Sequence, residues 1–407
     1  MRTNLHPDEA IRICEDAAGR MKFSQKKEKI PLDQALGRVL PMAMSSPIDH
    51  PPFDKSAMDG FAYGKTSPNG IYRVMEEIAA GEWSERPLGE GEAARIMTGA
   101  PLPPGATGVQ RIEWTRSLER DREGLMLVAF TKPESATNII RKGENLKAGM
   151  EILGPRVLAP QDIGILAAAG IAEMEVLVRP KIGIISTGNE ITPPGSYLPA
   201  ASIYDSNGPQ LKAQAEASGA QARFYGIARD EKEALKHTLA LALEANDVVV
   251  VSGGVSMGDF DLVPSMLSSL EVEPLFHSIA MRPGKPTFFG RREETVVFGL
   301  PGNPVSTFVN FEILVKAYLW ALQGIPRKPP TMRVRLGKSL ARKGSDRVEF
   351  LPATLRLGED GMVATPLQYH GSSMITVLAD TDAFLRMEIG QEKIEEGAFI
   401  DARLVRP

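Results

Sequence analysis

The sequence predicts a multidomain α/β chain with all-β modules: a parallel-sheet, three-layer α/β domain, an inserted β-rich domain and a C-terminal β-barrel-like domain. Three observations carry this. At 407 residues the chain is longer than one hydrophobic core usually organises. From Lys181 onward, apolar strand-like runs alternate with helical runs, the pattern of a parallel sheet covered on both faces. Before and after that region the texture shifts to short runs of period two, broken by Gly and Pro, which suits small β domains.

Taken in order, residues 8–20 have the apolar spacing of an amphipathic helix, and "IPLDQALGRVL" (30–40) makes a second short apolar element. Pro41, Pro47, Pro51 and Pro52 then exclude helix, and runs such as "GIYRVMEEIAAG" suit small strands, giving a β-rich insertion over 45–145. "LAPQDIGILAAAGI" predicts a helix that Gly170 ends, and "EMEVLVRPKIGIIST" supplies strands on either side of Pro180. Residues 1–44 and 146–178 are therefore expected to form one discontinuous domain. The α/β domain, 179–326, follows as "KIGIIS", "GPQLKAQAEASG", "ARFYGIA", "DEKEALKHTLALALEA", "DVVVVS", "TVVFGL" and the long helix "NPVSTFVNFEILVKAYLWALQG". "GIPRKPP" reads as a linker to a β domain over 327–407.

Composition narrows the function. A formal net charge of -4, with Lys+Arg 47 against Asp+Glu 51, supplies no basic field for nucleic acid or anionic lipid. The start has scattered charges rather than a targeting pattern, and no apolar run approaches membrane-spanning length, so a cytoplasmic protein with neither nucleic-acid nor membrane partners is expected. Cys14, the single cysteine, excludes an intramolecular disulfide and a thiolate cluster, and its place in the first helix suits a small buried hydrophobe. The five histidines show no zinc-ligand spacing, so any metal should be held by oxygen.

Chemistry concentrates where strands end, which is where open α/β sheets bind ligands. "STGNE", "SGGVSMGDFD" and "PGNPVS" each follow an apolar strand. Gly253 and Gly254 let backbone N–H groups approach an oxyanion, with hydroxyls from Ser252 and Ser256; a tight structural turn explains the same pair equally well. Asn303 can cap the helix whose first turn carries Pro304, and its free N–H groups suit an anion. "MRPGKP" holds Arg282 and Lys285 in a proline-stiffened turn, either a solvated surface turn or a seat for a small dianion. Glu190, Asp230, Asp259 and Asp261 lie at or just after strand ends, as caps and surface charges or as oxygen ligands converging on Mg²⁺ beside a phosphate. Together these residues describe a phosphate-ester site.

"PPFDKSAMDGFA", "RIMTGAPLPPGA", "STGNEI", "IYDSNG", "VSGGVSMGDFD", "MRPGKP" and "GLPGNPVS", in this order, resemble the molybdopterin molybdenumtransferase family, the MoeA proteins and the related E domains of gephyrin-like proteins. The resemblance spans nearly the whole chain. It implies a molybdopterin-binding-like α/β domain and an enzyme of molybdenum cofactor synthesis. Its substrates would be adenylylated molybdopterin and molybdate, with Mg²⁺ as cation and AMP released. It further implies a homodimer of four-domain subunits, with a cleft between the α/β domain of one subunit and the β-rich domain of the other. Molybdopterin adenylyltransferase and apo-molybdoenzymes or their chaperones are the partners such an enzyme would meet. Carried over by position, Asp59, Glu190, Asp230 and Asp261 would be catalytic, the last three also holding the metal. Thr98, Asp205, Gly253, Gly254, Ser256, Pro301 and Asn303 would bind the pterin substrate, with Asp59 and Thr98 facing the cleft from the partner subunit. Arg282, Lys285, Ser306, Arg347 and Ser372 would bind molybdate.

Four positions depart from the usual pattern: Asn145 and Asn189 stand where Asp is common, Arg282 where Lys is common, and "YHGSSM" replaces "QGSGM". No catalytic role is carried to position 145. Three rival readings stay open at this level: a tungstate-selective paralogue, a molybdopterin adenylyltransferase, and a non-catalytic scaffold on the same fold. The β domains flanking the α/β part argue against the second, and the acids and cations gathered around the strand ends argue against the third.

Overall fold

The computed structural model describes residues 2–255, 262–324 and 329–405. They divide into two compact units, one of Met1–Glu28, Gly37–Pro41 and Glu175–Pro407, the other of Lys29–Leu36 and Met42–Met174.

In the second unit, short strands run β1 (Gly60–Tyr63), β2 (Ile71–Ile78), β3 (Glu92–Ile96), β4 (Gly108–Arg111), β5 (Thr115–Leu118) and β6 (Leu127–Phe130). They form a sheet in the order β4-β1-β3-β2-β6-β5, antiparallel except between β2 and β3. Alternation along the strands sends Ala62, Ala94, Ile96 and Val109 into one cluster and Phe61, Tyr72, Ala93 and Val128 into another. The helix Pro160–Ala168 ends as the sequence predicts, with Gly170 at φ 76°.

The first unit opens with α1 (Pro7–Gly19), whose Ala10, Cys14 and Ala17 are buried in the same core as Tyr318 and Leu319. This helix thus belongs with the α/β sheet, whereas residues 146–174 fall in the second unit. The sheet and its helices follow as β7 (Lys181–Thr187), α2 (Asn207–Ala217), β8 (Gln221–Ala228), α3 (Lys232–Ala245), β9 (Val248–Ser252), α4 (Val263–Ser269), β10 (Glu273–His277), β11 (Phe288–Arg292), β12 (Thr295–Leu300) and α5 (Pro304–Leu322). Strand order is β8-β7-β9-β12-β11-β10. The first four strands are mutually parallel, but β11 and β10 run antiparallel to their neighbours, so the sheet is mixed rather than wholly parallel. The β11–β12 turn escapes a sequence reading because it has no Gly, Pro, Asn or Asp; Glu293 takes the left-handed conformation itself, at φ 52°.

The four valines of β9 show why its sequence is apolar throughout. Val248 and Val250 pack on the side covered by α1, α2 and α5, while Val249 and Val251 pack on the side covered by α3 and α4. All four have no exposed surface. Val250→Ala should therefore cost about 2–3 kcal/mol, combining lost burial with the cavity left behind, and a denaturant titration measures it.

Helix α5 corrects a second expectation: it is long and apolar enough to cross a membrane, although Glu312 and Lys316 interrupt it. Most of it lies inside the core, and it widens into a π turn over Phe311–Val315.

Beyond it, β13 (Thr331–Leu336), β14 (Val348–Gly358), β15 (Gly361–Pro366), β16 (Ala383–Met387) and β17 (Phe399–Leu404) close into a five-stranded barrel in the order β14-β15-β13-β17-β16-β14. Three tethers fix it on the α/β layers. Met281 and Arg282 pair in parallel with Val348 and Glu349. Arg386 donates to both carboxylate oxygens of Asp8 at 2.8 Å, holding that carboxyl below its usual range. Arg403 donates to the Glu312 carbonyl in the π turn.

Candidate active site

The strand-end loops open onto a cavity of about 850 Å³, lined by Thr187, Glu190, Asp205, Asp230, Gly253 and Gly254 among others. A second cavity, of about 520 Å³, is lined by Arg282, Lys285, Ser306, Arg347, Glu349 and Ser372. Pro286, Pro301 and Asn303 line both. The two therefore form one trough with a basic end and an end of glycines, hydroxyls and carboxylates.

At the larger end, Gly253 and Gly254 sit at φ 91° and 63°, and a Cβ on Gly253 would lie 2.8 Å from the Thr187 carbonyl oxygen. Only glycine brings the backbone this close to the neighbouring strand end. Asn189 Oδ1 accepts from the Asp230 backbone N–H at 3.1 Å, which ties the loop bearing Glu190 to the loop bearing Asp230. Asp230 itself stands one residue before the cap, since α3 starts at Lys232 with Glu231 as its N-cap. Glu190 and Asp230 are exposed and face the same cavity. Two carboxylates of this kind fit a hard divalent cation that keeps several waters and takes a phosphate oxygen as a further ligand. Among the described residues no group of three or more His, Cys, Asp or Glu gathers as a metal site. Asp259, Asp261 and Ser256 lie outside the described residues.

Asp205 lines the cavity but is 4% exposed, and its oxygens are engaged by the protein: Ser186 Oγ donates to one at 2.9 Å and the Gly208 N–H to the other at 3.0 Å. It shapes the wall and the start of α2. Asn207, two residues on, escapes the sequence reading. Its Nδ2 donates to Ser252 Oγ and to the Gly302 carbonyl, each at 2.7 Å, which stitches the start of α2 to the ends of β9 and β12. Among the described residues its Oδ1 is buried without a hydrogen-bond partner, an acceptor suited to a heterocyclic N–H. The available signal was its place at the head of a helix, in "IYDSNG".

At the basic end, Asn303 does not cap α5 with its side chain. Nδ2 instead donates to Ser372 Oγ at 3.0 Å, and the Ser372 carbonyl accepts from the Val305 N–H at 3.0 Å, taking up one of the helix's free donors. This contact brings Ser372, from the barrel domain, to the pocket that Ser306 also lines. Glu349, which sequence reading missed, is two residues beyond Arg347, a spacing that places strand residues on one face. Its carboxylate is 3.3 Å from Arg342 and 3.9 Å from Arg282. With Arg342 engaging Glu349, the cations Arg282, Lys285 and Arg347 leave the pocket positive. Burial, reinforced by Glu349 and opposed by Arg282, pushes the Tyr369 hydroxyl up to about 12, so it remains a neutral donor at physiological pH. Tetrahedral dianions suit this set of fixed cations and hydroxyls.

Asp59 and Thr98 lie in the second unit, where the structure brings them to each other. The Thr98 N–H and Oγ donate to Asp59 Oδ1 at 2.7 and 2.8 Å, holding this exposed carboxyl below its ordinary range.

Comparison with known proteins agrees along the length of the chain. Residues 5–170 match the MoeA N-terminal region (domain I and II), residues 183–321 a probable molybdopterin binding domain, and residues 333–405 the MoeA C-terminal region (domain IV). The chain is 33% identical to the molybdopterin molybdenumtransferase of Bacillus subtilis (strain 168), covering 100% of this chain and 95% of that one. It is 32% identical to the protein of the same name from Staphylococcus aureus (strain Mu50), over 91% of this chain and 90% of that one. The crystal structure of the molybdopterin biosynthesis MoeA protein from Pyrococcus horikoshii aligns over 100% of both chains with a TM-score of 0.82 and 33% identity. With a relative this similar along its entire length, and with MoeA-type regions on both sides of a molybdopterin-type α/β domain, the chain belongs to the molybdopterin molybdenumtransferase (MoeA) family.

Proposed function

We propose that this protein is an enzyme of molybdenum cofactor biosynthesis that moves molybdenum from molybdate into adenylylated molybdopterin and releases AMP. The observation that carries the reading is the single trough whose two ends meet at Pro286, Pro301 and Asn303, with the cations at one end and the glycines, Glu190 and Asp230 at the other. A dianion in the basic end lies within reach of a pterin substrate bound beside it, so dithiolene sulfurs can displace molybdate oxygens while the phosphates stay seated at the other end.

Arg282, Lys285 and Arg347 hold the oxyanion by charge, and Ser306 and Ser372 orient it by hydrogen bonds. Gly253 and Gly254 admit the phosphates close to the backbone. Glu190 and Asp230 would hold Mg²⁺, with Asp261 as the further candidate; the cation supplies neutralisation of phosphate charge. We further propose a cytoplasmic homodimer in which Asp59 and Thr98 serve the partner's trough, with an adenylyltransferase supplying the pterin and an apo-molybdoenzyme or its chaperone receiving the cofactor. The support is the family's domain set and the resemblance at these motifs.

The test is AMP release from adenylylated molybdopterin by the purified protein with Mg²⁺, with and without molybdate, and with tungstate in parallel. Release that depends on molybdate is the expected result, and release that tungstate drives better would make the protein a tungsten enzyme. Tight pterin binding with no release under either oxyanion would overturn the transferase reading in favour of a scaffold.

A further inference from the structure

We infer that Thr287 and Asn310, which do not line either cavity, are positioning residues for the oxyanion end of the trough. The inference rests on the reading of that end as the molybdate pocket. Both side chains have no exposed surface. Thr287 Oγ1 lies 2.7 Å from Asn310 Oδ1, and Asn310 Nδ2 lies 2.8 Å from the Ser306 carbonyl and 3.4 Å from the Gly284 carbonyl. Thr287 Oγ1 is also 2.9 Å from the Gly284 carbonyl. One arrangement satisfies every group. The Thr287 hydroxyl donates to the Asn310 oxygen, and the Asn310 amide donates to the two carbonyls, its orientation set by the Ser306 carbonyl, which can only accept.

The network links two pocket elements that share no strand pairing. Gly284 lies between Arg282 and Lys285, and Ser306 lines the pocket from α5. Gly284 takes φ 103°, and a Cβ there would lie 1.9 Å from Asn310 Nδ2, so the turn is seated directly on the amide. Arg282 is about half exposed and Lys285 is exposed, so neither is held in place by its own packing. Their backbone is anchored from beneath, by Asn310. An anion site that takes two of its cations from one exposed turn gains most when that turn is pre-set.

The experiment is molybdate binding by calorimetry to the full-length protein, together with the dependence of AMP release on molybdate. Thr287→Val keeps shape and removes the hydroxyl, so it should weaken molybdate binding and raise its KM about tenfold, the loss of roughly one buried hydrogen bond, while kcat at saturating molybdate changes little. Thr287→Ser should restore wild-type values. The double substitution Thr287→Val with Asn310→Leu strips the Gly284 carbonyl of both its side-chain partners, so its molybdate affinity should fall further than that of Thr287→Val. Arg282→Ala serves as the control for the pocket itself. If Arg282→Ala loses molybdate while Thr287→Val binds it as wild type does, the positioning role is wrong and the pocket stands. A double variant that binds molybdate as wild type does would likewise reduce the pair to a core contact. If the wild-type protein binds no molybdate, the pocket assignment and this inference both fall.

Discussion

Arg347→Ala is expected to weaken molybdate binding about a hundredfold, roughly 3 kcal/mol. Among the described residues Arg347 Nε is buried without a hydrogen-bond partner, and the side chain is only 24% exposed. Asp346 Oδ2 lies 3.5 Å from that nitrogen, but the carboxylate is 81% exposed and the contact lacks hydrogen-bond geometry. The donor therefore waits for an acceptor, and an oxyanion in the pocket can supply one. Arg282 already shares Glu349 at 3.9 Å with Arg342, so its loss should cost less. Arg347→Lys keeps the charge and loses the planar fork, and should recover only part of the affinity. Titrating AMP release with molybdate reads both variants. An Arg347→Ala protein within about threefold of wild type would place the oxyanion elsewhere.

Gly253→Ala should have the second large effect, and on two quantities at once. The residue is at φ 91°, and its added methyl would meet the Thr187 carbonyl and hydroxyl oxygens, both at 2.8 Å. The Gly253 N–H donates to the Leu300 carbonyl at 3.0 Å, so the loop is pinned to the end of β12 and has little room to retreat. Backbone strain plus crowding should cost about 2–4 kcal/mol of stability, and adenylylated-pterin binding should fall with it. Gly302→Ala is the contrast, because its nearest neighbour would be Gly253 Cα at an ordinary 3.7 Å. That variant should keep its denaturation midpoint. Equal midpoints for the two variants would show that the Gly253 turn has room that the geometry denies it.

Much of the trough was legible because strand ends in an α/β sheet are predictable from local pattern. Val248 to Val251 announce a doubly covered strand, so Gly253 and Gly254 had to lie at its carboxyl end. Arg282 and Lys285 stood out through the prolines around them. The roles of Asn303 and Asp205 were less legible. A helix-start Asn reads as a cap in any sequence, yet here its amide goes to Ser372, 69 residues away. Asp205, which the family resemblance assigns to the pterin substrate, also accepts from Ser186 and Gly208, bonds that no local pattern announces. Asn189, a departure from the family's pattern, proved to be a tie between the Glu190 and Asp230 loops. Strands β10 and β11 were missed: the turn from β11 to β12 carries no Gly, Pro, Asn or Asp, and the Pro- and Gly-bearing segment between β10 and β11 read as a ligand loop instead.

The sequence by itself determined the order of helices and parallel strands and which strand ends bear glycine, carboxylate or cation, because backbone propensity and side-chain period act over a few residues. Only the tertiary structure decided that Ser372 and Arg347 of the barrel meet Arg282 and Ser306 of the α/β layers. That meeting depends on the pairing of Arg282 with Glu349 and on the Asp8–Arg386 ion pair, contacts between residues far apart in the chain. Their partners are chosen by burial and hydrogen bonding across the fold, which no local pattern encodes.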